Sequence, residues 1–245
     1  MLSQRVIGTF LNAGAIVLGG IAGFALRKPM SAASQFFVKA TLGAFTVFFG
    51  LKLTLTSFSG SFLQIMKQFV IVLLALMLGN LVGKVLHLQK SSNRIGQFAR
   101  ERMAAARSDN AQRFNDGFMV CMLLFCAAPL GILGAIQDGL SNYYYPLAVK
   151  AVMDGLATMG FFAMFGWGVV LSAVPVLVFQ GTITLLCARF FLPVLAAHNL
   201  LNSVNATGGL LVFCVALLIF EVQKVQVTNY LPSLAIAPVL TWIFR

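Results

Sequence analysis

Three charged residues, Asp138, Lys150 and Asp154, lie in a stretch of chain that is otherwise apolar enough for a membrane interior. An ionisable side chain in hydrocarbon is costly, so such a residue is first a candidate for an ion, proton or substrate site. Lys150 and Asp154 are four residues apart and therefore share one face of a helix. The pair has two interpretations. It is either a neutral structural pair that offsets part of its desolvation cost, or a gate that binds a proton or monovalent cation.

Asp138 stands near the end of its apolar segment and is followed by Gly139 and by the polar residues Ser141 and Asn142. One interpretation is an acid that faces the loop and the solvent. The other depends on the turn that follows. If this turn brings Asp138 to Lys150 and Asp154, the three charges form one cluster with a net negative charge, which suits a cation.

Uncharged polar residues in apolar segments complete the predicted binding site: Asn12, Gln180, Asn205 and Thr207. Asn205 and Thr207 flank the start of a predicted span, so either could cap that helix. Alternatively, a helix N-terminus inside the protein offers free N–H groups to an anionic substrate group. No cofactor and no metal site are expected, because metal sites need closely spaced cysteines or histidines. The cysteines are isolated in apolar segments, at 121, 126, 187 and 214.

The elements that must position these residues are membrane helices. The 245 residues are 60% hydrophobic and 9% charged, whereas about a quarter of a soluble domain is charged. Most apolar segments approach the roughly 20 residues that cross a bilayer. The predicted fold class is all-α, a polytopic membrane helix bundle in one domain over 1–245. Its eight predicted spans are 6–26, 36–58, 62–86, 117–137, 145–165, 168–192, 206–222 and 228–244.

The net charge of +11 indicates orientation rather than nucleic-acid binding, because no groove-reading motif accompanies the basic residues. Basic residues concentrate in a loop at 88–115, and short basic loops stay in the cytoplasm. Parity of the spans then puts Arg27, Lys28, Lys39 and Lys224 on the same side. Part of the loop fits an interfacial helix on an anionic leaflet, with a solvated connector as the alternative.

An internal repeat is predicted from the likeness of the segment around Gly20 to that around Gly181. It relates 6–87 to 168–245, on either side of a central hairpin at 117–166. An offset of five spans makes the copies inverted, as in many secondary transporters. Interrupted helices at corresponding places mark transport sites. They are expected at 12–20 and 175–181, with a third candidate at 125–134. The spacing of Gly19 and Gly23 fits either packing inside the fold or a dimer seam.

Several motifs together resemble the YqgA/YdfK-like family of bacterial inner-membrane proteins (domain of unknown function 554). The likeness covers nearly the whole chain and implies a multi-pass protein of the bacterial inner membrane. Members carry an acidic residue and a glycine where this chain has Asp138 and Gly139, and Lys-x-x-x-Asp where it has Lys150 and Asp154. Gln180 departs from the family pattern. The motifs are the segments 12–20, 124–139, 150–154 and 229–232.

The sequence therefore predicts a secondary transporter or ion-coupled carrier of a small solute. The alternatives are a non-transporting membrane scaffold or sensor, which would use the glycine seam and the basic loop, and an oligomeric channel. No enzyme is expected, since the chain has no HExxH, GxSxG or P-loop motif. The expected partners are the lipid bilayer, a proton or monovalent cation, a small solute and further copies of the chain in a homo-oligomer, with no nucleic acid.

Overall fold

The computed structural model describes residues 6–26, 30–104 and 110–244, and these residues form helices joined by short connections, with no strand among them. A π-helical turn, Cys187–Phe191, joins the ninth helix to the tenth. The α-helices are α1 (Ile7–Ala25), α2 (Ala32–Ser57), α3 (Phe62–Val85), α4 (Leu88–Ala104), α5 (Asn110–Ala127), α6 (Pro129–Ser141), α7 (Tyr145–Phe165), α8 (Gly168–Leu171), α9 (Ala173–Leu186), α10 (Leu192–Ala197), α11 (Leu201–Ile219), α12 (Val227–Tyr230) and α13 (Ser233–Ile243).

Six helical segments within the described residues are long and apolar enough to cross a membrane: α1, α2, α3, α7, α11 and the run Gly168–Ala197. A seventh is present if α5 and α6, which meet at an angle of 57°, are counted as one broken span. The last predicted span corresponds to a shorter apolar stretch, Val227–Ile243. The all-α membrane class is therefore confirmed, while the number of eight spans stays a prediction.

The helices divide into two bundles. The first bundle contains α1 and α5 to α9, with a core that includes Ile16, Phe125 and Val176. The second contains α2, α3, α11, α12 and α13. A further core, with Leu133 of α6 and Leu211 of α11, joins the two bundles. Each predicted repeat therefore has its first membrane helix in the first bundle and its remaining helices in the second.

Helices that the predicted repeat makes equivalent lie against each other and run antiparallel. This is the relative direction that inverted repeats require, although the repeat itself stays a prediction. The contacts that define these directions are Thr9–Thr184 and Asn12–Gln180 between α1 and α9, Gly43–Phe220 and Gly50–Gly209 between α2 and α11, and Gly79–Ser233 and Gly83–Asn229 between α3 and the α12–α13 segment.

The breaks expected at 12–20 and 175–181 are wrong. Helix α1 is continuous through its glycines, and Pro175 lies in the first turn of α9. The glycines serve close packing instead, because a Cβ at Gly19 would lie 2.1 Å from the carbonyl oxygen of Gly155 in α7. The third candidate is where the chain does break, since α5 ends at Ala127 and α6 begins at Pro129.

Basic residues gather at one end of the molecule, here called the basic end. Helix α4 packs there against α5, and Gln89 of α4 donates its backbone N–H to Asn229 Oδ1 at 2.9 Å. The predicted interfacial stretch of the loop is thus helical. Arg27, Lys28, Arg107 and Asp109 lie outside the described residues. The described cations of the basic end are Lys39, Lys84, Lys90, Arg94, Arg100, Arg102, Arg113 and Lys224.

Cysteine labelling tests this arrangement. Ser34 lies at the start of α2 at the basic end, and Arg189 lies at the far end of the α9 run, and both are exposed. In a variant without the four native cysteines, we expect Ser34→Cys and Arg189→Cys to react with an impermeant maleimide from opposite sides of right-side-out and inverted vesicles. Reaction from the same side would exclude the inverted arrangement.

Candidate functional site

The buried ion pair of Lys150 and Asp154 lies near the middle of α7. Lys150 Nζ donates a hydrogen bond to Asp154 Oδ2, and the two residues are only 2% and 7% exposed. The Lys150 ammonium also lies 5.6 Å from the ring centroid of Phe125 in α5. Asp154 is about 14 Å along a helix of about 31 Å. The predicted pair is therefore formed, deep in the first bundle.

Two amide side chains from antiparallel helices line the pair. Asn12 Nδ2 of α1 donates to Gln180 Oε1 of α9 at 3.1 Å, and both residues are fully buried. The Asn12 amide also interacts with the Asp154 carboxylate. Within the described residues, Asn12 Oδ1 and Gln180 Nε2 have no hydrogen-bond partner. An acceptor and a donor are thus buried beside the ion pair, where an unsatisfied polar atom is costly.

The break before α6 brings a helix N-terminus to the same place. Pro129 is among the first residues of α6, and a Cβ at Gly131 would lie 2.7 Å from Lys150 Cε and 3.0 Å from Gln180 Nε2. The Lys150 and Gln180 side chains thus pass close to the backbone of this turn, in space that a side chain at position 131 would contest. A helix N-terminus carries partial positive charge. The α6 N-terminus, the Lys150 ammonium and the Gln180 donor converge on one buried position.

Among the described residues, Lys150 forms its salt bridge with Asp154 and none with Asp138, so the predicted cluster of three charges is not seen as a set of ion pairs. Asp138 follows Gly131 in α6 by seven residues, or about 10 Å of helix. It is also fully buried and does not face the solvent, and its Oδ2 accepts the backbone N–H of Gly8 at 3.0 Å. A carboxylate is stabilised at the N-terminus of a helix such as α1. Asp138 thus positions the start of α1.

Asn205 and Thr207 belong to a different contact, in the second bundle. Helix α11 begins at Leu201, so both lie inside it and neither is the predicted cap. Ser141 Oγ donates to Asn205 Oδ1 at 2.7 Å, and Thr207 Oγ1 donates to the carbonyl of Ser203 in its own helix at 2.7 Å. Of the seven predicted site residues, the structure therefore brings together Lys150, Asp154, Asn12 and Gln180.

Sequence reasoning missed two polar positions of the interior. Thr184 of α9 lies 3.5 Å from Thr9 of α1 through their hydroxyls and donates to the carbonyl of Ala135 at 3.1 Å. Gln137 of α6 is fully buried, and neither of its amide atoms has a partner among the described residues. The available signal was a polar amide within an otherwise apolar segment of the chain.

Two acids outside the pair form ion pairs at the basic end. Asp116 is 5% exposed and lies 3.4 Å from Arg102. Glu221 pairs with Lys39 of α2 at 2.6 Å. The hydrogen bond from Lys39 lowers the pKa of Glu221. Because both side chains are well exposed, this pair contributes little to stability.

A tyrosine contact joins the two bundles at the end opposite the basic end. Tyr143, between α6 and α7, donates its hydroxyl to the carbonyl of Phe49 in α2 at 2.7 Å. The rings of Phe49 and Tyr145 stack with centroids 4.5 Å apart. Burial, with a smaller effect of Tyr145, raises the pKa of Tyr143 to about 12. The hydroxyl is therefore protonated and able to donate throughout the physiological range.

We expect Tyr143→Phe to lower the free energy of unfolding by about 1–2 kcal/mol, because it removes one hydrogen bond and leaves the Phe49 carbonyl unpaired. Thermal unfolding in detergent measures this. In the wild type the contribution should be complete below about pH 10, the ordinary tyrosine pKa, and lost as the pH rises through about 12. Tyr144→Phe is the matched control, and an equal loss there would contradict the assignment.

At the basic end the bundles are parted by a cleft of about 530 Å³. Its walls come from the end of α1, the start of α2 and the second half of α7. The α7 residues in the wall include Met153, Ala157 and Gly160. Neither Lys150 nor Asp154 is among the residues that line the cleft.

The comparisons with known proteins agree with this membrane architecture. Residues 7–242 match the model of the family described as "Protein of unknown function (DUF554)". The chain is 26% identical over 244 residues to "Uncharacterized membrane protein YdfK" of Bacillus subtilis (strain 168), covering 98% of this chain and 97% of the relative. It is 28% identical over 233 residues to "Uncharacterized protein YqgA" of Escherichia coli (strain K12), covering 95% and 94%. No solved structure shows a significant match.

Proposed function

Since the chain belongs to the DUF554 family and has several helices that could cross a membrane, we propose from the geometry of its site that it is a proton-coupled secondary transporter of a small anionic solute. We place it in the bacterial inner membrane with the basic end in the cytoplasm, as the positive-inside rule favours. The observation that carries the proposal is the buried Lys150–Asp154 pair beside unpartnered donor and acceptor atoms.

The proton is the coupling ion that this pair favours. The Asp154 carboxylate is already neutralised by the Lys150 ammonium, so a metal cation would have to enter the buried space beside Asp154 that this ammonium occupies. A proton needs no such space. Protonation of Asp154 leaves Lys150 as an uncompensated buried cation, and this charge is then available to an anion.

The surroundings of Lys150 favour a carboxylate or a similar small anion. Gln180 Nε2 supplies a donor without a partner among the described residues, and the N-terminus of α6 supplies partial positive charge at Gly131. Broken helices whose N-termini point at anionic substrate groups are a recurring feature of transporter sites. Binding of the anion then requires the proton, and this requirement couples the two.

The two bundles provide a basis for alternating access. Each predicted repeat contributes to both bundles, and the first bundle carries the site between antiparallel α1 and α9. The bundles are joined at one end by Tyr143 and Phe49 and parted at the other by the cleft. A rocking motion of one bundle against the other is how many inverted-repeat carriers expose a site near the midplane.

A thermal-shift series tests the proposal. Purified protein is melted with small carboxylates, and with the corresponding neutral amides, at acidic and at alkaline pH. We expect a carboxylate to stabilise the protein more at acidic pH, because the anion binds after the proton. Lys150→Gln should lose the effect. Asp154→Asn should keep it but lose its pH dependence, since the asparagine already leaves Lys150 uncompensated.

Transport follows as the direct measurement. Uptake of the stabilising carboxylate into proteoliposomes should be driven by an inward proton gradient and stopped by a protonophore. If no solute and no change of pH alters the stability of the wild type, the scaffold or sensor is favoured instead. The observation behind that second candidate is α4, a basic helix docked on α5 through the buried Ala99, with Arg102 over the ring of Phe98.

A further inference from the structure

The cleft between α1, α2 and α7 is lined mainly by apolar side chains, and all three helices are long and apolar enough to cross a membrane. Leu42, Met153 and Leu156 are among the side chains that line it, and Gly160 and Ala163 form an exposed part of its wall. Its volume of about 530 Å³ falls in the range of ligand pockets, about 300–1,000 Å³. A gap of this size in hydrocarbon would forfeit dispersion contacts along both walls. In a membrane such a gap is filled by an apolar chain.

The depth of the cleft matches one leaflet. Along α7 its lining residues run from Met153 to Met164, a distance of about 17 Å at the rise of an α-helix. Half of a hydrocarbon core of about 30 Å is about 15 Å. The cleft therefore begins at the basic end and stops near the midplane, as a lipid tail of that leaflet does.

The basic end supplies cations at the mouth of the cleft. Lys39 lines it, and Arg113 donates from Nε and Nη2 to the carbonyl of Met164, which also lines it, at 3.1 and 2.8 Å. Arg113 forms no salt bridge with a described residue, whereas Lys39 is paired with Glu221. Described cations outnumber described acids at this end by eight to three. The charge is complementary to an anionic headgroup.

We propose that this cleft is a binding site for one anionic phospholipid, whose acyl chain fills the space between α2 and α7 and whose phosphate lies beside Arg113 and Lys39. Most of the selectivity comes from the headgroup, because a lipid tail exchanges one apolar surrounding for another. Lys150 and Asp154 do not line the cleft, so lipid binding does not require the proposed transport.

Native mass spectrometry of the full chain in mild detergent tests the site. Phosphatidylglycerol and phosphatidylcholine with identical chains are the probes. We expect one phosphatidylglycerol to be retained on each monomer. Arg113→Gln should weaken its retention about fivefold relative to phosphatidylcholine, the effect of one cation near an anionic lipid surface.

Gly160→Leu should reduce retention of both lipids about tenfold or more, because its side chain enters the cleft. A Cβ at Gly160 meets no atom within 4 Å, so the fold tolerates the change. Gly14→Leu is the matched control, since Gly14 of α1 is equally open but lies outside the cleft. Ala163→Phe is a second variant of the same wall.

Normal lipid retention in both Gly160→Leu and Ala163→Phe would overturn the site. So would equal retention of the two lipids by the wild type, or a dimer that replaces the lipid adduct and is lost in Gly160→Leu. If the wild type retains the lipid but does not bind carboxylates, the result supports the lipid site and contradicts the transport proposal alone.

Discussion

We expect Asp154→Asn to lower the free energy of unfolding by about 3–5 kcal/mol, because removing one partner of a buried ion pair leaves the other charge uncompensated. Lys150 is 2% exposed, and the neighbouring Gln180 and Phe125 supply no negative charge. Unfolding by titration with a denaturing detergent, or the midpoint of a thermal melt, measures the loss.

The double variant Lys150→Met, Asp154→Leu separates stability from function. Replacing a buried pair with apolar side chains of similar volume is often neutral or stabilising, so we expect the double variant to recover most of the stability that Asp154→Asn loses. It should nevertheless show no carboxylate-dependent or pH-dependent shift, because both charges are gone. If Lys150 and Asp154 have only a structural role, the double variant should recover stability in the same way but keep any response to ligand that the wild type shows. An Asp154→Asn protein as stable as the wild type would contradict the burial of an uncompensated Lys150.

The pair could be predicted from the sequence because its geometry is local. Two residues four apart on a helix are neighbours whatever the rest of the fold does, and composition alone required that helix to be in the membrane. Asp138 could not be placed from the sequence, for the complementary reason. Its distance from Lys150 depends on how α6 and α7 pack after their turn, and the turn residues do not specify that register.

Glycine gave the least specific signal. In α1, the spacing of Gly19 and Gly23 is compatible with a broken helix, a dimer seam or internal packing. The structure shows internal packing against α7, where Gly19 approaches Gly155 and Gly23 approaches Met159 and Phe162. The break at Pro129 could be predicted because proline lacks the N–H that would continue the helix from α5. Proline thus acts through its own backbone, whereas the role of a glycine depends on which partner approaches it.

Gly19→Leu is expected to destabilise the fold by more than about 3 kcal/mol, beyond the usual cost of overpacking a core. A Cβ at Gly19 would lie 2.1 Å from the carbonyl oxygen and 2.8 Å from the carbonyl carbon of Gly155. These are backbone atoms of α7, so no rotamer change relieves the contact, and α1 must move away from the helix that carries Lys150 and Asp154. Size-exclusion chromatography after heating measures the loss as a lower temperature for disappearance of the folded peak.

Gly14→Leu on the same helix is the control, since a Cβ there meets nothing within 4 Å and leucine favours the helix over glycine by up to about 1 kcal/mol. We therefore expect Gly14→Leu to melt at or above the wild-type temperature. The pair of variants also decides what the glycine spacing does. If Gly19→Leu stayed folded and changed only the oligomeric state, Gly19 would belong to a seam between copies. If it unfolds the monomer, the close contact of α1 with α7 is what holds Asn12 against the Lys150–Asp154 pair.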